Sequence, residues 1–237
     1  RNPEDRGTRR KPSAYTVRLS GELSYNGLES IAHMRGDGVV FLPGVSTLAL
    51  KEWAVAVNAL STGRQIMVLR KGGIHRDDKD FRIVHPEFLL FPTYEHQAPD
   101  LLKEQYQGDL AATLDEDEVE GLVTVSAWTE VAEVIELRDE ATLSMLSEYH
   151  IWTDDYAQTR LHWRPKYPLT VALLRVYTLQ QPQAIPILDE YIGCKSWVEL
   201  VQEVPLGQME PVLGDAEFRE RADAIKQTLA EAVVAAQ

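Results

Sequence analysis

The sequence is poor in the features that mark secreted, membrane-embedded and metal-caged proteins. Cys194 is the single cysteine among 237 residues, so neither an internal disulfide nor a Cys-based metal cage can form. No apolar run approaches the roughly 20 residues that span a bilayer. Residues 1–12 are polar and basic, without the apolar core of a secretory signal. We therefore expect a cytoplasmic protein with no membrane association.

Familiar catalytic motifs are missing as well. The chain contains no Gly-x-Ser-x-Gly elbow, no phosphate-binding Gly-rich loop with Lys-Ser/Thr, and no dinucleotide fingerprint. Its histidines match no metal-ligand spacing. We expect neither a cofactor nor a bound metal. One enzymatic alternative stays open, a metal-dependent nuclease or nucleotide hydrolase that uses Glu52, Glu95 and His96.

Acidic residues dominate, but they are unevenly spread. The net charge is −13, which repels phosphate backbones at long range. Residues 156–188 nevertheless contain no Asp or Glu, and their cations alternate with tyrosines, a histidine and a tryptophan. Guanidinium groups bind phosphate with forked geometry, and aromatic faces stack on bases. This segment predicts a binding surface, against the alternative that its cations pair with acidic loops.

Two arginines stand out because each ends an apolar strand pattern. Alternation places Arg70 on one face of a strand at 65–70 and Arg175 on one face of a strand at 169–177. A buried cation must be paired or must reach a cavity. Either the two arginines flank one anion pocket, or each pairs with a buried carboxylate such as Glu52 or Glu95.

The order of elements predicts an α+β fold, a small mixed β-barrel with helical insertions and a C-terminal helix. A helix should begin at Ser46 or Thr47 and end at Gly63, and another should begin after Thr153. The predicted division is a disordered basic tail at 1–13, one domain at 14–205 and a helical extension at 206–237. The last helix could dock a protein partner, so a protein-interaction module is a further alternative.

Four blocks of sequence resemble the bacterial family called domain of unknown function 1802. They are ALKEWAVA at 49–56, LRKGGI at 69–74, FPTYEHQ at 91–97 and GCKSWVEL at 193–200. This resemblance implies no activity, because the family has none assigned.

The layout is more distantly similar to PUA-like barrels of the ASCH and EVE branches, which carry a Gly-x-Lys-x-x-Glu-x-Arg signature. Gly63 and Arg70 match that signature, whereas Gln65 and Val68 replace its Lys and Glu. The resemblance therefore implies binding of RNA, modified-base DNA or a nucleotide, and carries over no catalytic role.

Together these features predict a non-catalytic module that binds nucleic acid or a nucleotide-like anion. The predicted binding residues are Arg70, Lys71, Tyr94, His96, Arg160, Trp163, Arg164, Lys166, Arg175, Lys195 and Trp197.

Overall fold

The computed structural model describes residues 15–18, 30–35, 38–71, 85–115 and 121–235, with side chains described within 44–71, 85–113 and 121–232. The predicted basic tail at 1–13 lies outside the described residues.

Strands and helices are mixed along the chain, so the predicted α+β class is confirmed. The strands are β1 (Tyr15–Arg18), β2 (Ser30–Arg35), β3 (Gly38–Pro43), β4 (Val45–Trp53), β5 (Met67–Arg70), β6 (Glu87–Thr93), β7 (Leu122–Leu137), β8 (Leu169–Pro186), β9 (Trp197–Pro205) and β10 (Met209–Pro211). The α-helices are α1 (Ala54–Ser61), α2 (Glu104–Asp115), α3 (Glu140–Ser144), α4 (Asp154–His162) and α5 (Asp215–Ala235). Single 3-10 turns occur at Pro99–Leu101, Ser147–Tyr149 and Asp189–Tyr191.

A long antiparallel pair, β7 and β8, forms the trunk of the main sheet. Their register runs from Leu122 opposite Pro186 to Leu137 opposite Leu169, with irregularities after Val125 and Val131. β7 is therefore one continuous strand that contains two irregularities of the β-bulge kind.

The main sheet has the order β10-β8-β7-β6-β4-β9, with β1 added on β7 and β5 added on β8. In the part of the chain that is described, no pairing joins β10 to β9, so the sheet is not closed as the predicted barrel. The reason is the pairing of the two long strands. β6 and β1 both pair with one edge of β7, and β10 and β5 both pair with one edge of β8. Each long strand therefore carries two shorter strands on the same edge, and the sheet stays open. β2 and β3 form a separate two-stranded sheet.

The helix predicted to start at Ser46 or Thr47 is instead β4, and α1 starts only at Ala54. β4 pairs in parallel with β6 and antiparallel with β9. Pairing on both sides satisfies its backbone groups, which overrides a local helical pattern.

The predicted end of α1 is confirmed. Gly63 has a φ of 71°, and it donates its N–H to the carbonyl of Leu60 while Arg64 donates to Ala59. This pair of bonds is the Schellman cap, which favours glycine at the left-handed position.

Helix α5 lies against the main sheet through its apolar side. Ala222, Ile225 and Leu229 belong to the same buried cluster as Val171 and Leu173 of β8. The Ala-rich helix is therefore part of the central core and is not loosely packed. No helix in the described residues is long and apolar enough to cross a membrane.

Candidate functional site

Strand direction brings three segments to one edge of the sheet. β4 and β6 are parallel, and Trp53 lies opposite Thr93, so their carboxyl ends and the turn after β6 are neighbours. β9 runs antiparallel to β4, which places its start beside Lys51, whose N–H donates to the carbonyl of Ser196 at 2.9 Å. The end of β5 and the end of α4 complete the surroundings.

These segments enclose a pocket of about 240 Å³. Its lining residues are Lys51, Glu52, Trp53, Arg70, Lys71, Thr93, Glu95, His96, Arg160, Trp163, Gly193, Cys194, Lys195 and Ser196. Five of them are Lys or Arg and two are Glu, so the lining carries a formal charge of +3 in a chain of net charge −13. A strongly cationic pocket in an acidic protein favours an anionic occupant.

The floor of the pocket contains a buried ion pair. Arg70 Nη1 lies 2.9 Å from Glu52 Oε2, and both side chains are 8% exposed. Burial lowers the pKa of Arg70, Glu52 opposes that effect, and the nearby Arg160 lowers it further. Of the two alternatives left open by the sequence, pairing with a carboxylate holds for Arg70, although Arg70 also lies in a pocket wall.

Lys51 connects the walls. Its ammonium donates to Glu95 Oε2 at 3.0 Å, to the carbonyl of Tyr191 at 2.9 Å and to the carbonyl of Gly193 at 3.2 Å. The bond from Lys51 holds the pKa of Glu95 below its ordinary value. Three donors with three acceptors leave this ammonium fully used, so Lys51 positions the turn after β6 and the turn before β9.

Arg160 is different, because its Nε is buried and has no hydrogen-bond partner among the described residues. Its guanidinium lies over the ring of Tyr156, 5.5 Å from the ring centroid. Tyr156 packs against Trp152, which packs edge-on against the lining residue Trp53. An aromatic wall therefore holds a cation whose buried donor is unsatisfied, an arrangement that costs free energy unless a ligand or water completes it.

The rim carries the strained backbone positions. Among the described non-glycine residues, only His96 and Arg164 have positive φ, at 61° and 53°. His96 lines the pocket, and Arg164 follows the lining residue Trp163. Such conformations cost of order 1–3 kcal/mol each and cluster at ligand sites.

The structure assembles six of the eleven predicted binding residues in one pocket: Arg70, Lys71, His96, Arg160, Trp163 and Lys195. Arg164 and Lys166 are exposed on the loop after α4, outside the lining. Trp197 packs against the buried cluster that contains Phe88, and Tyr94 packs against the cluster around Trp128, so both are partly structural.

Arg175 lies away from this pocket. Its Nη2 is 2.6 Å from Asp215 Oδ1, and its guanidinium lies 5.0 Å from the centroid of the Phe218 ring. It therefore anchors the start of α5 to β8. Arg70 and Arg175 do not share a pocket. The alternative in which the two arginines flank one anion pocket is therefore wrong.

The enzymatic alternative brought Glu52, Glu95 and His96 together, and all three do line the pocket. However, Arg70 pairs with Glu52 and Lys51 pairs with Glu95. Within the described residues, no group of three His, Cys, Asp or Glu side chains could hold a metal ion. The geometry gives this alternative no specific support.

Sequence reasoning missed Lys51, Gly193 and Cys194 as lining residues. Two of the blocks that resemble the family contain them, namely 49–56 and 193–200. Their position in those blocks was the available signal, because no charge pattern marks them.

The fold and pocket define an α+β protein with a cationic pocket at the carboxyl ends of two parallel strands. The chain belongs to the family described as domain of unknown function (DUF1802), whose model matches residues 49–224. A search of curated proteins found no significant match. Among solved structures, the crystal structure of a mutant ZmASCH protein from Zymomonas mobilis is similar at 10% identity and a TM-score of 0.37, covering 77% of this chain and 99% of that one. A likeness this distant supports no functional conclusion.

Proposed function

We propose that the pocket binds an anionic group of a nucleic acid or nucleotide, and that the protein is a binding module without catalytic activity. The observation that carries the proposal is Arg160, whose buried Nε lacks a partner among the described residues beside an excess of cations. Phosphate is the anion that a guanidinium fork matches best in this class of ligand.

Donor accounting separates the cations that hold the walls from those that meet the ligand. Lys51 has used all three donors, and Arg70 is paired with Glu52. Lys71 donates to the carbonyl of Leu161 and Lys195 donates to the carbonyl of Glu190. Because an ammonium has three donors, Lys71 and Lys195 keep donors for a ligand, and together with Arg160 they form the anion-binding set.

Trp163 supplies a surface for a ring. Its side chain is 44% exposed, and the guanidinium of Arg164 lies 4.6 Å from its ring centroid. An indole with this much exposed surface can stack on a base. One cationic pocket beside one exposed aromatic ring suits a single nucleotide unit.

Arg164 and Lys166 extend the site beyond the pocket. Both are exposed on the loop that follows α4, and the same loop carries Trp163. In the proposal they contact the backbone of a longer chain through charge alone, which gives little sequence selectivity.

A binding titration with single-stranded RNA, single-stranded DNA and duplex, each at two salt concentrations, tests the proposal. Single strands should bind, and binding should weaken as salt rises, because phosphate contacts release counterions. Absent or salt-insensitive binding to all three would contradict it.

Arg160→Gln tests the assigned residue in the last turn of α4, with Arg164→Gln on the loop that follows α4 as its matched control. A charge-assisted bond of about 1.5–3 kcal/mol corresponds to roughly 10- to 150-fold weaker binding for Arg160→Gln. Arg164→Gln should cost only a few fold. Equal losses for the two variants would mean that the pocket is not the site.

A further inference from the structure

The pocket is graded from a buried floor to an exposed rim. Lys51, Glu52, Arg70 and Lys71 are each at most 7% exposed. In contrast, His96, Trp163, Cys194 and Lys195 are all exposed. A ligand that reaches the buried floor therefore enters from the exposed rim.

A pocket with a buried floor and an exposed rim treats the end and the middle of a nucleic acid chain differently. An internal phosphate has chain on both sides, so both flanking nucleotides must pass back over the rim. A terminal phosphate has chain on one side and enters end-on. With about 240 Å³ available, the pocket suits one phosphate and part of its nucleotide rather than a doubled-back strand.

Charge leads to the same conclusion. The lining has a formal charge of +3, counted as five cations minus two carboxylates. An internal phosphodiester supplies one negative charge, whereas a phosphomonoester carries about −1.5 to −2 at pH 7 and has three acceptor oxygens. The three oxygens can accept from Arg160, Lys71 and Lys195.

Electrostatics within the pocket add support to this geometry. Burial lowers the pKa of Arg70 and of Lys71, and a nearby cation lowers each further, Arg160 for Arg70 and Arg138 for Lys71. These two floor cations are therefore poorly solvated and are repelled by neighbouring positive charge. A ligand of higher negative charge relieves more of that repulsion.

We propose that the pocket recognises a phosphomonoester, the phosphate at the end of a nucleic acid chain or on a free nucleotide, in preference to an internal phosphodiester. This inference rests on the proposed function and narrows its ligand. The lining assigns Arg160, Lys71 and Lys195 to the phosphate, and Trp163 to the base that carries it.

Competition binding with one short single-stranded RNA sequence tests the inference. The RNA is made with hydroxyl groups at both ends, with a 5′ phosphate, or with a 3′ phosphate, and inorganic phosphate and a nucleoside monophosphate serve as small competitors. At low salt, at least one phosphate-ended form should bind about tenfold or more tightly than the hydroxyl-ended form. Arg160→Gln should remove most of that preference, whereas Lys166→Gln should weaken all forms equally.

The outcomes separate the inference from the proposed function. Equal binding of all RNA forms overturns the phosphomonoester preference but leaves nucleic-acid binding intact. No binding of any form or small competitor overturns both. A nucleoside monophosphate that competes as well as phosphate-ended RNA supports the inference and identifies free nucleotides as the source, while a clear advantage for RNA identifies the chain end. Thermal unfolding of each variant verifies that it is folded.

Discussion

Arg70 and Arg175 have similar sequence contexts but different roles in the structure. Each lies near the carboxyl end of an apolar strand pattern, and each is nearly buried. Arg70 pairs with the buried Glu52 on the floor of the pocket, whereas Arg175 pairs with the half-exposed Asp215 at the start of α5. An arginine therefore shapes the pocket in one region, whereas in the other, the side of the sheet that α5 covers, an arginine holds the helix in place.

Sheet register explains the difference. Arg70 is opposite Thr170, and Val68 is opposite Ala172, so Arg70 shares a face with those residues. Leu173 is opposite Met67, and Arg175 has the same parity along β8 as Leu173. Since successive side chains alternate between faces, Arg70 and Arg175 lie on opposite faces of the sheet.

The largest expected effect is at the pocket floor. Arg70→Met leaves Glu52 charged and 8% exposed, and loss of one partner of a buried pair costs about 3–5 kcal/mol of the free energy of unfolding. Urea denaturation measures this loss. The double variant Glu52→Gln with Arg70→Met removes the stranded charge and should recover most of the stability. No recovery would mean that Arg70 acts mainly through other contacts.

The next effect is the acid sensitivity of the folded state, which we expect from a buried histidine away from the pocket. His150 is 3% exposed, and burial first, then Lys103, lowers its pKa from 6.5 to about 4. The folded protein holds this imidazole neutral, while the unfolded chain takes up a proton below about 6.5. Stability contributed by His150 is thus complete above pH 6.5 and falls as the pH drops towards 4, by about 3 kcal/mol in total.

His150→Leu provides the measurement for this window. The difference in free energy of unfolding between the wild type and His150→Leu should change between pH 7 and pH 4, with the wild type losing more. Parallel curves for the two proteins would show that His150 is not the acid-labile group.

A smaller effect is expected at the helix anchor. Arg175→Met removes the bond to Asp215, but that carboxylate is 48% exposed and is solvated after the change. The cation–π contact with Phe218 is also lost. We expect a loss of about 1–2 kcal/mol in urea denaturation, which is smaller than the loss for Arg70→Met. A loss equal to that of Arg70→Met would erase the contrast between the two arginines.

The sequence predicted those elements whose signals are local. Thr153 caps α4 as expected, because its side chain accepts from Tyr156 N–H three residues ahead. Gly63 ends α1 for an equally local reason. The same reasoning failed at β4, because the helical spacing that continues into α1 includes Leu50 and Trp53, whereas the decisive contacts of β4 come from β6 and β9.

The candidate site shows the same division between residues with local signals and residues whose contacts come from distant segments. Composition alone singled out the segment that contains Arg160 and Trp163, because an acid-free stretch is unusual in this chain. Lys51 was missed because its partner Glu95 is 44 residues away and its other acceptors lie more than 130 residues away. Only the register of the sheet shows that these distant segments meet.

The smallest effect concerns two exposed lysines, Lys195 at the rim of the pocket and Lys166 on the loop after α4. Lys195 lines the pocket, so Lys195→Gln should weaken binding of a nucleoside monophosphate and of single-stranded RNA alike, by about fivefold or less because exposed charges are screened. Lys166 lies outside the lining, so Lys166→Gln should weaken only the RNA. Fluorescence titration of both variants with both ligands measures the contrast. If Lys166→Gln weakened mononucleotide binding as much as Lys195→Gln does, the phosphate would not be bound specifically in the pocket. The exposed cations would then act as one diffuse surface.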